Sequence, residues 1–350
     1  MLGCLRAVRS CILILEIAGD AVISNRSVGF AVLLAILLAC ASLFPGETDN
    51  SSKPPVTPPS TDINGVTVPV TPERPIRIDV QLVEVAVSVI DPFNRFVTGL
   101  EKDHFQVYED DQQQTISHFS NEDVPISVGL IFDTSGSMSD KIDKSRMAVN
   151  QFFRSSNPAD EFFVISFDDR PNQVASFTHD LDTLQGKLNF TEAKGRTALL
   201  DAIYMGMNEM RKAKYSRKVL LIISDGGDNH SRYTESEIKN LVKEADVQVY
   251  AIGIFDSTPR TEEERMGPTM LASVTDVTGG RTFTIDNPNE LADVATKIGV
   301  ELRNQYVLGY RPKKPARDGK WRKVKVKLNP PKGLPPLHVY AKTGYYAPTE

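Results

Sequence analysis

Apolar and polar positions follow two regimes along this chain. Between residue 125 and about residue 303, short apolar runs alternate with amphipathic stretches, whereas on both sides the apolar residues recur at every second position. In the central part, the runs 126–132, 161–167, 218–223, 247–254 and 281–285 predict strands buried on both faces. The stretches between them predict helices over about 141–155, 181–189, 198–213, 234–245, 268–277 and 288–303. Thr234 with Glu237 three positions on reads as a capped helix start, and Gly279-Gly280 as a helix end ahead of a strand. Strands that alternate with helices in this way predict an α/β fold: a doubly wound, mostly parallel sheet with helices on both faces.

The flanks have a different period. In 76–120, Ile76, Ile78, Val80 and Leu82 alternate in one phase and Val83, Val85, Val87 and Val89 in the other, which predicts a bulge near Leu82-Val83. Asp91-Pro92-Phe93-Asn94 is a turn, and 105–108 is expected to pair with 115–119 across Glu109-Asp110-Asp111. In 304–350, Trp321-Arg322-Lys323-Val324-Lys325-Val326-Lys327-Leu328 alternates strictly, with lysines on the solvated face and apolar residues on the core face. Each flank is too short to make a good sandwich alone. The two are therefore expected to pair into one small all-β sandwich-like domain, with the α/β domain, 121–303, inserted between its strands.

Ahead of these lies an N-terminal segment, 1–45, with the apolar stretch 29–44. It is shorter than a typical membrane span and is followed directly by polar chain, as an export signal is. Ala39-Cys40-Ala41 suits cleavage by signal peptidase, while Leu37-Leu38-Ala39-Cys40 resembles a lipobox that would leave Cys40 acylated; both readings stand. Residues 46–75, rich in Pro, Ser and Thr, are expected to be an extended linker. The expected location is extracytoplasmic: secreted, periplasmic, or tethered to a membrane through the N-terminus. All three cysteines, Cys4, Cys11 and Cys40, fall in this leader, so the rest of the chain has neither a disulfide nor thiol chemistry.

Candidate chemistry sits where the first central strand ends. Asp133-Thr134-Ser135-Gly136-Ser137 follows it directly, at the carboxyl edge of the predicted sheet, where open α/β folds bind ligands. In an extended turn, positions 133, 135 and 137 point the same way. One carboxylate and two hydroxyls then converge as hard oxygen donors, which suit Mg²⁺ or Mn²⁺ better than Zn²⁺. Alone, such a cluster reads equally well as a turn or a helix cap. Two further segments add donors at the same edge: Gly195-Arg196-Thr197 supplies a hydroxyl ahead of a helix, and the strand 218–223 runs into Ser224-Asp225. The metal candidates are Asp133, Ser135, Ser137, Thr197 and Asp225.

With these residues in place, the chain resembles a von Willebrand factor type A domain with an intact metal-ion-dependent adhesion site. The resemblance implies that the serine and threonine hydroxyls bind the metal directly, that the carboxylates act partly through water, and that an open coordination position accepts a Glu or Asp from a protein partner. Asp140 stands where some integrin-type relatives carry a neighbouring calcium site, but Lys141 follows it here in place of Asp. Val97-Thr98-Gly99-Leu100, Asp103-His104-Phe105 and the endings Gln305–Tyr310 and Gly344-Tyr345-Tyr346 resemble a bacterial, acidobacterial-type group of proteins that carry such domains. The resemblance covers about 76–348.

Composition narrows the function classes. The net charge of −5 over 350 residues argues against nucleic acid as the main partner. The five histidines have no zinc spacing, and Asp168-Asp169 reads as a solvated strand-end turn rather than a catalytic pair. Without a general base or a Ser-His-Asp arrangement beside the candidate metal, a metal-dependent hydrolase is disfavoured. The expectation is a non-enzymatic adhesion or scaffold module that binds a protein presenting Asp or Glu. The alternative is a structural metal, with binding done by the β-domain.

Overall fold

The computed structural model describes residues 82–255 and 262–349, which belong to one compact unit. The expectations for the leader, the linker, residues 76–81 with their bulge, and loop residues 256–261 lie outside the described residues.

Four strands open the described chain: β1 (Val83–Ile90), β2 (Phe105–Glu109), β3 (Gln112–Gln114) and β4 (Ile116–Ser120). The α/β part follows as β5 (Ser127–Asp133), α1 (Ile142–Ser155), β6 (Glu161–Phe167), β7 (Pro171–Thr178), α2 (Leu181–Asn189), α3 (Leu199–Glu209), β8 (Lys218–Ser224), α4 (Glu235–Glu244), β9 (Gln248–Ile254), α5 (Glu262–Thr275), β10 (Thr282–Ile285) and α6 (Leu291–Asn304). The chain ends in β11 (Tyr306–Tyr310), β12 (Trp321–Leu328), β13 (His338–Ala341) and β14 (Gly344–Tyr346).

A six-stranded sheet in the order β10-β9-β8-β5-β6-β7 forms the centre. It is parallel except for the edge strand β7, which runs antiparallel to β6. Both faces are covered. Leu130 and Phe132 of β5 join one apolar layer, with α1 and α6, and Ile131 joins the other, with α3 and α4. Burial on both faces explains why these strands read as continuous apolar runs. Thr234 and Glu237 form the expected capping box at the start of α4.

Strands from before and after this sheet pair with one another. β1 lies between β11 and β13, and β12 lies between β14 and β2, in two four-stranded antiparallel sheets. Their apolar faces enclose a separate core that includes Val85, Val107, Tyr306 and Leu308. One expected pairing is corrected. β2 pairs with β3, not with 115–119, across a tight turn in which Asp110 and Asp111 both adopt positive φ (46° and 63°), as a two-residue hairpin requires. The chain leaves the ladder at Thr115, and β4 joins the other sheet against β11. Two elements differ from expectation. β7 was not predicted, and α5 begins at Glu262 and carries Pro268 inside it rather than at its start.

Candidate metal centre

Sheet order explains where the candidate residues meet. From β5 the chain moves outward through β6 to β7, then returns to the opposite side of β5 with β8 and moves outward again through β9 to β10. The order therefore reverses between β5 and β8, and the carboxyl ends of these two strands open onto the crevice where ligands bind in such folds. Because Phe132 pairs in register with Ile223, Asp133 comes to lie opposite Ser224. Their side chains meet: the Ser224 hydroxyl donates to Asp133 Oδ2 at 2.6 Å. Ser224 in turn accepts the Gly226 amide at 2.9 Å, which holds the turn that follows Asp225.

Asp133 is fully buried, and its Oδ1 accepts the backbone amide of Ser135 at 2.8 Å. That bond folds the loop so that the Ser135 and Ser137 hydroxyls stand 3.0 Å apart. Ser137 also hydrogen-bonds the Asp225 carboxylate. Four of the five candidates are thus linked through side-chain or loop hydrogen bonds. Thr197, also buried, is held by backbone contacts: Gly136 donates to the Gly195 carbonyl at 3.0 Å, Lys194 donates to the Thr134 carbonyl at 2.8 Å, and Asn229 Oδ1 accepts the Thr197 amide at 3.1 Å.

Two buried carboxylates at one point are electrostatically costly. Burial, and then the neighbouring Asp225, push the Asp133 carboxyl up to about 7 from 3.8. Burial also raises Asp225, opposed by its hydrogen bond from Ser137 and by Lys141. A divalent cation would relieve both carboxylates, and the donors at hand, carboxylate and hydroxyl oxygens, suit a hard ion. The residues therefore fit Mg²⁺ or Mn²⁺. Among the described residues no three His, Cys, Asp or Glu side chains cluster as a metal site; the candidate centre has two carboxylates, and its other side-chain oxygens are hydroxyls.

Several supporting residues had not stood out. Ser224 is polar at the end of an apolar strand, a signal that was present in the sequence. Lys141 is another: its Nζ lies 3.4 Å from Asp225 Oδ2, with both side chains buried. Asp169 accepts the Arg196 amide at 3.0 Å and steadies the Thr197 loop, while Asp228 accepts the Leu200 amide at 2.9 Å at the start of α3. Asp228 and Asn229 thus both support the loops around the candidate site.

Residues 128–227, which span β5 to the turn after Asp225, match the model of the von Willebrand factor type A domain. Over these residues the chain is similar to a von Willebrand factor type A domain. No curated protein matches the chain. Solved structures similar to it include the conserved hypothetical protein BatB from Bacteroides thetaiotaomicron (16% identity, TM-score 0.41, covering 50% of this chain and 98% of that one). A von Willebrand factor type A protein from Catenulispora acidiphila has 12% identity and a TM-score of 0.46, covering 76% of this chain and 75% of that one. The corresponding domain of the type V pili tip protein Mfa5 from Porphyromonas gingivalis has 14% identity and a TM-score of 0.41, covering 51% and 94%. In this chain the A domain sits between the two sets of β-strands that pair around it.

Proposed function

We propose that this protein is an extracytoplasmic, non-enzymatic binding module that captures a Glu or Asp side chain of a protein partner at a divalent metal held by Asp133, Ser135, Ser137, Thr197 and Asp225. The observation that carries this reading is the pair of buried carboxylates at the β5/β8 crevice, surrounded by hydroxyls, of which only Asp225 has a cation beside it, Lys141. Mg²⁺ bound there would remain electrophilic toward an incoming carboxylate. Two anionic ligands and three neutral hydroxyls balance the ion without quenching it, whereas a third firmly bound carboxylate would. Asp133 and Ser224 fix the inner wall of the site, and the exposed Ser137 forms its mouth. The polar contacts of Asp133, Ser135, Ser137 and Asp225 run to serine, lysine and backbone groups among the described residues. Export rests on the apolar segment 29–44 and the linker behind it.

The test is capture from an envelope extract by wild type and by Asp133→Ala, each with Mg²⁺ or with EDTA. A partner retained only by wild type with Mg²⁺ is the expected result. Equal capture in all four arms would move binding to the β-sheets or the linker and leave any metal a structural role.

A further inference from the structure

Lys141 breaks a local rule. It occupies the N-cap of α1, where Ser, Thr, Asp or Asn is favoured and a cation is opposed by the helix dipole, and its side chain makes no capping bond. Its backbone is fixed nonetheless: its amide donates to the Met138 carbonyl at 2.9 Å, and its carbonyl accepts from Ser145. The turn that carries Ser135 and Ser137 therefore aims the ammonium inward, and it reaches Asp225 Oδ2 at 3.4 Å in a pair whose side chains are 9% and 6% exposed. A cavity of about 150 Å³ adjoins this pair and is lined also by Glu264 and Arg265.

We propose that Lys141 is an internal counter-cation that competes with the divalent metal for Asp225, so that metal loading displaces the ammonium from the carboxylate. This rests on the metal-centre reading above. Without metal, the ammonium neutralises one of the two buried carboxylates. With metal, two cations would share one carboxylate at close range, and their repulsion in a partly dry site is strong. The adjoining cavity gives the lysine an exit toward Glu264. The module then takes up its metal, and with it a carboxylate ligand, only above a threshold of free cation set by Lys141, which a neutral residue at position 141 would lower.

Calorimetric titration of the purified protein with Mg²⁺ and with Mn²⁺ compares wild type, Lys141→Met and Lys141→Arg. Lys141→Met is expected to bind at least about tenfold more tightly, since one opposing charge is removed, and Lys141→Arg to stay within a few-fold of wild type. Equal affinity of Lys141→Met and wild type would overturn the competition and leave the metal centre standing. Absence of metal binding in all three would overturn the metal centre and the competition together. Wild type alone provides a second measurement that is independent of how the variants fold: acetylation of Lys141 by acetic anhydride, read by mass spectrometry. Protection without metal and faster labelling at saturating Mg²⁺ are expected; labelling that does not respond to Mg²⁺ would overturn the displacement.

Discussion

At the scale of single residues, the metal-free centre stores an electrostatic cost in Asp133. Its carboxyl rises from 3.8 to about 7 because burial disfavours the charged form and Asp225 adds a like charge nearby. The unfolded chain releases this proton near pH 4, while the folded chain keeps it until about pH 7, so the folded state binds more protons across that window. Stability that is fully present below pH 4 is therefore lost as pH rises toward 7, at up to about 1.4 kcal/mol per unit. Asp225 shifts in the same direction. Carboxylates held low, such as Asp169 and Glu237, act only below this window, because their contributions disappear as pH falls under about 4. Urea denaturation at three pH values between about 4.5 and 7.5 should show metal-free stability falling with pH, Asp133→Asn flattening the trend, and saturating Mg²⁺ suppressing it. Stability that rose with pH in the metal-free wild type would place the charge elsewhere.

At the scale of elements, the Asp225 turn and helix α5 meet backbone to backbone. Gly226 has φ of +85°, a left-handed conformation that favours glycine. A Cβ added at Gly267 of α5 would stand 2.7 Å from the Gly226 carbonyl oxygen, and backbone cannot yield as a side chain tip can. Gly267→Ala should therefore cost about 1–3 kcal/mol in chemical denaturation and weaken Mg²⁺ binding by calorimetry, because it pushes on the residue next to Asp225; unchanged metal affinity would separate α5 from the site. The sequence hid this contact. Pro268 reads as a helix start, so the six residues before it pass for loop, and a glycine ahead of a proline signals a turn rather than a packing face. The parallel strands were legible because burial on both faces leaves continuous apolar runs, and Asp133 and Asp225 were legible because they end those runs. The edge strand β7 was not: Pro171-Asn172-Gln173 is polar, and its pairing comes from β6 rather than from its own pattern. The route of β4 was equally hidden, since alternation marks a strand's faces and leaves its partner open, here β11 rather than β2.

At the scale of the whole molecule, a buried polar chain ties the A domain to the strands around it. Glu301 of α6 is 1% exposed and accepts from the Tyr250 hydroxyl at 2.9 Å and from Arg281 Nη2 at 2.7 Å. Arg281 also donates to Asn94 Oδ1 at 2.6 Å, in the turn after β1, while Gln305 donates to both Tyr250 and Ser88 of β1. Strands β1 and β9 and helix α6 thus share one set of hydrogen bonds, at the end of the sheet away from the metal candidates. Such a network stabilises little in net terms but is expensive to break halfway, because the partner left behind is a buried charge. Arg281 is already strained for partners, since its buried Nε has none among the described residues. Glu301→Ala should therefore cost about 3–5 kcal/mol by urea denaturation, whereas Arg281→Met combined with Glu301→Leu, which removes both charges and keeps apolar volume, should cost clearly less than the sum of the single replacements. Because strands from both sides of the A domain depend on this set, the signals of backbone and of aromatic packing should shift together in Glu301→Ala. A loss confined to one signal, or additive costs in the double variant, would mean that Arg281 and Glu301 act separately and that the joint is held by the apolar contacts alone.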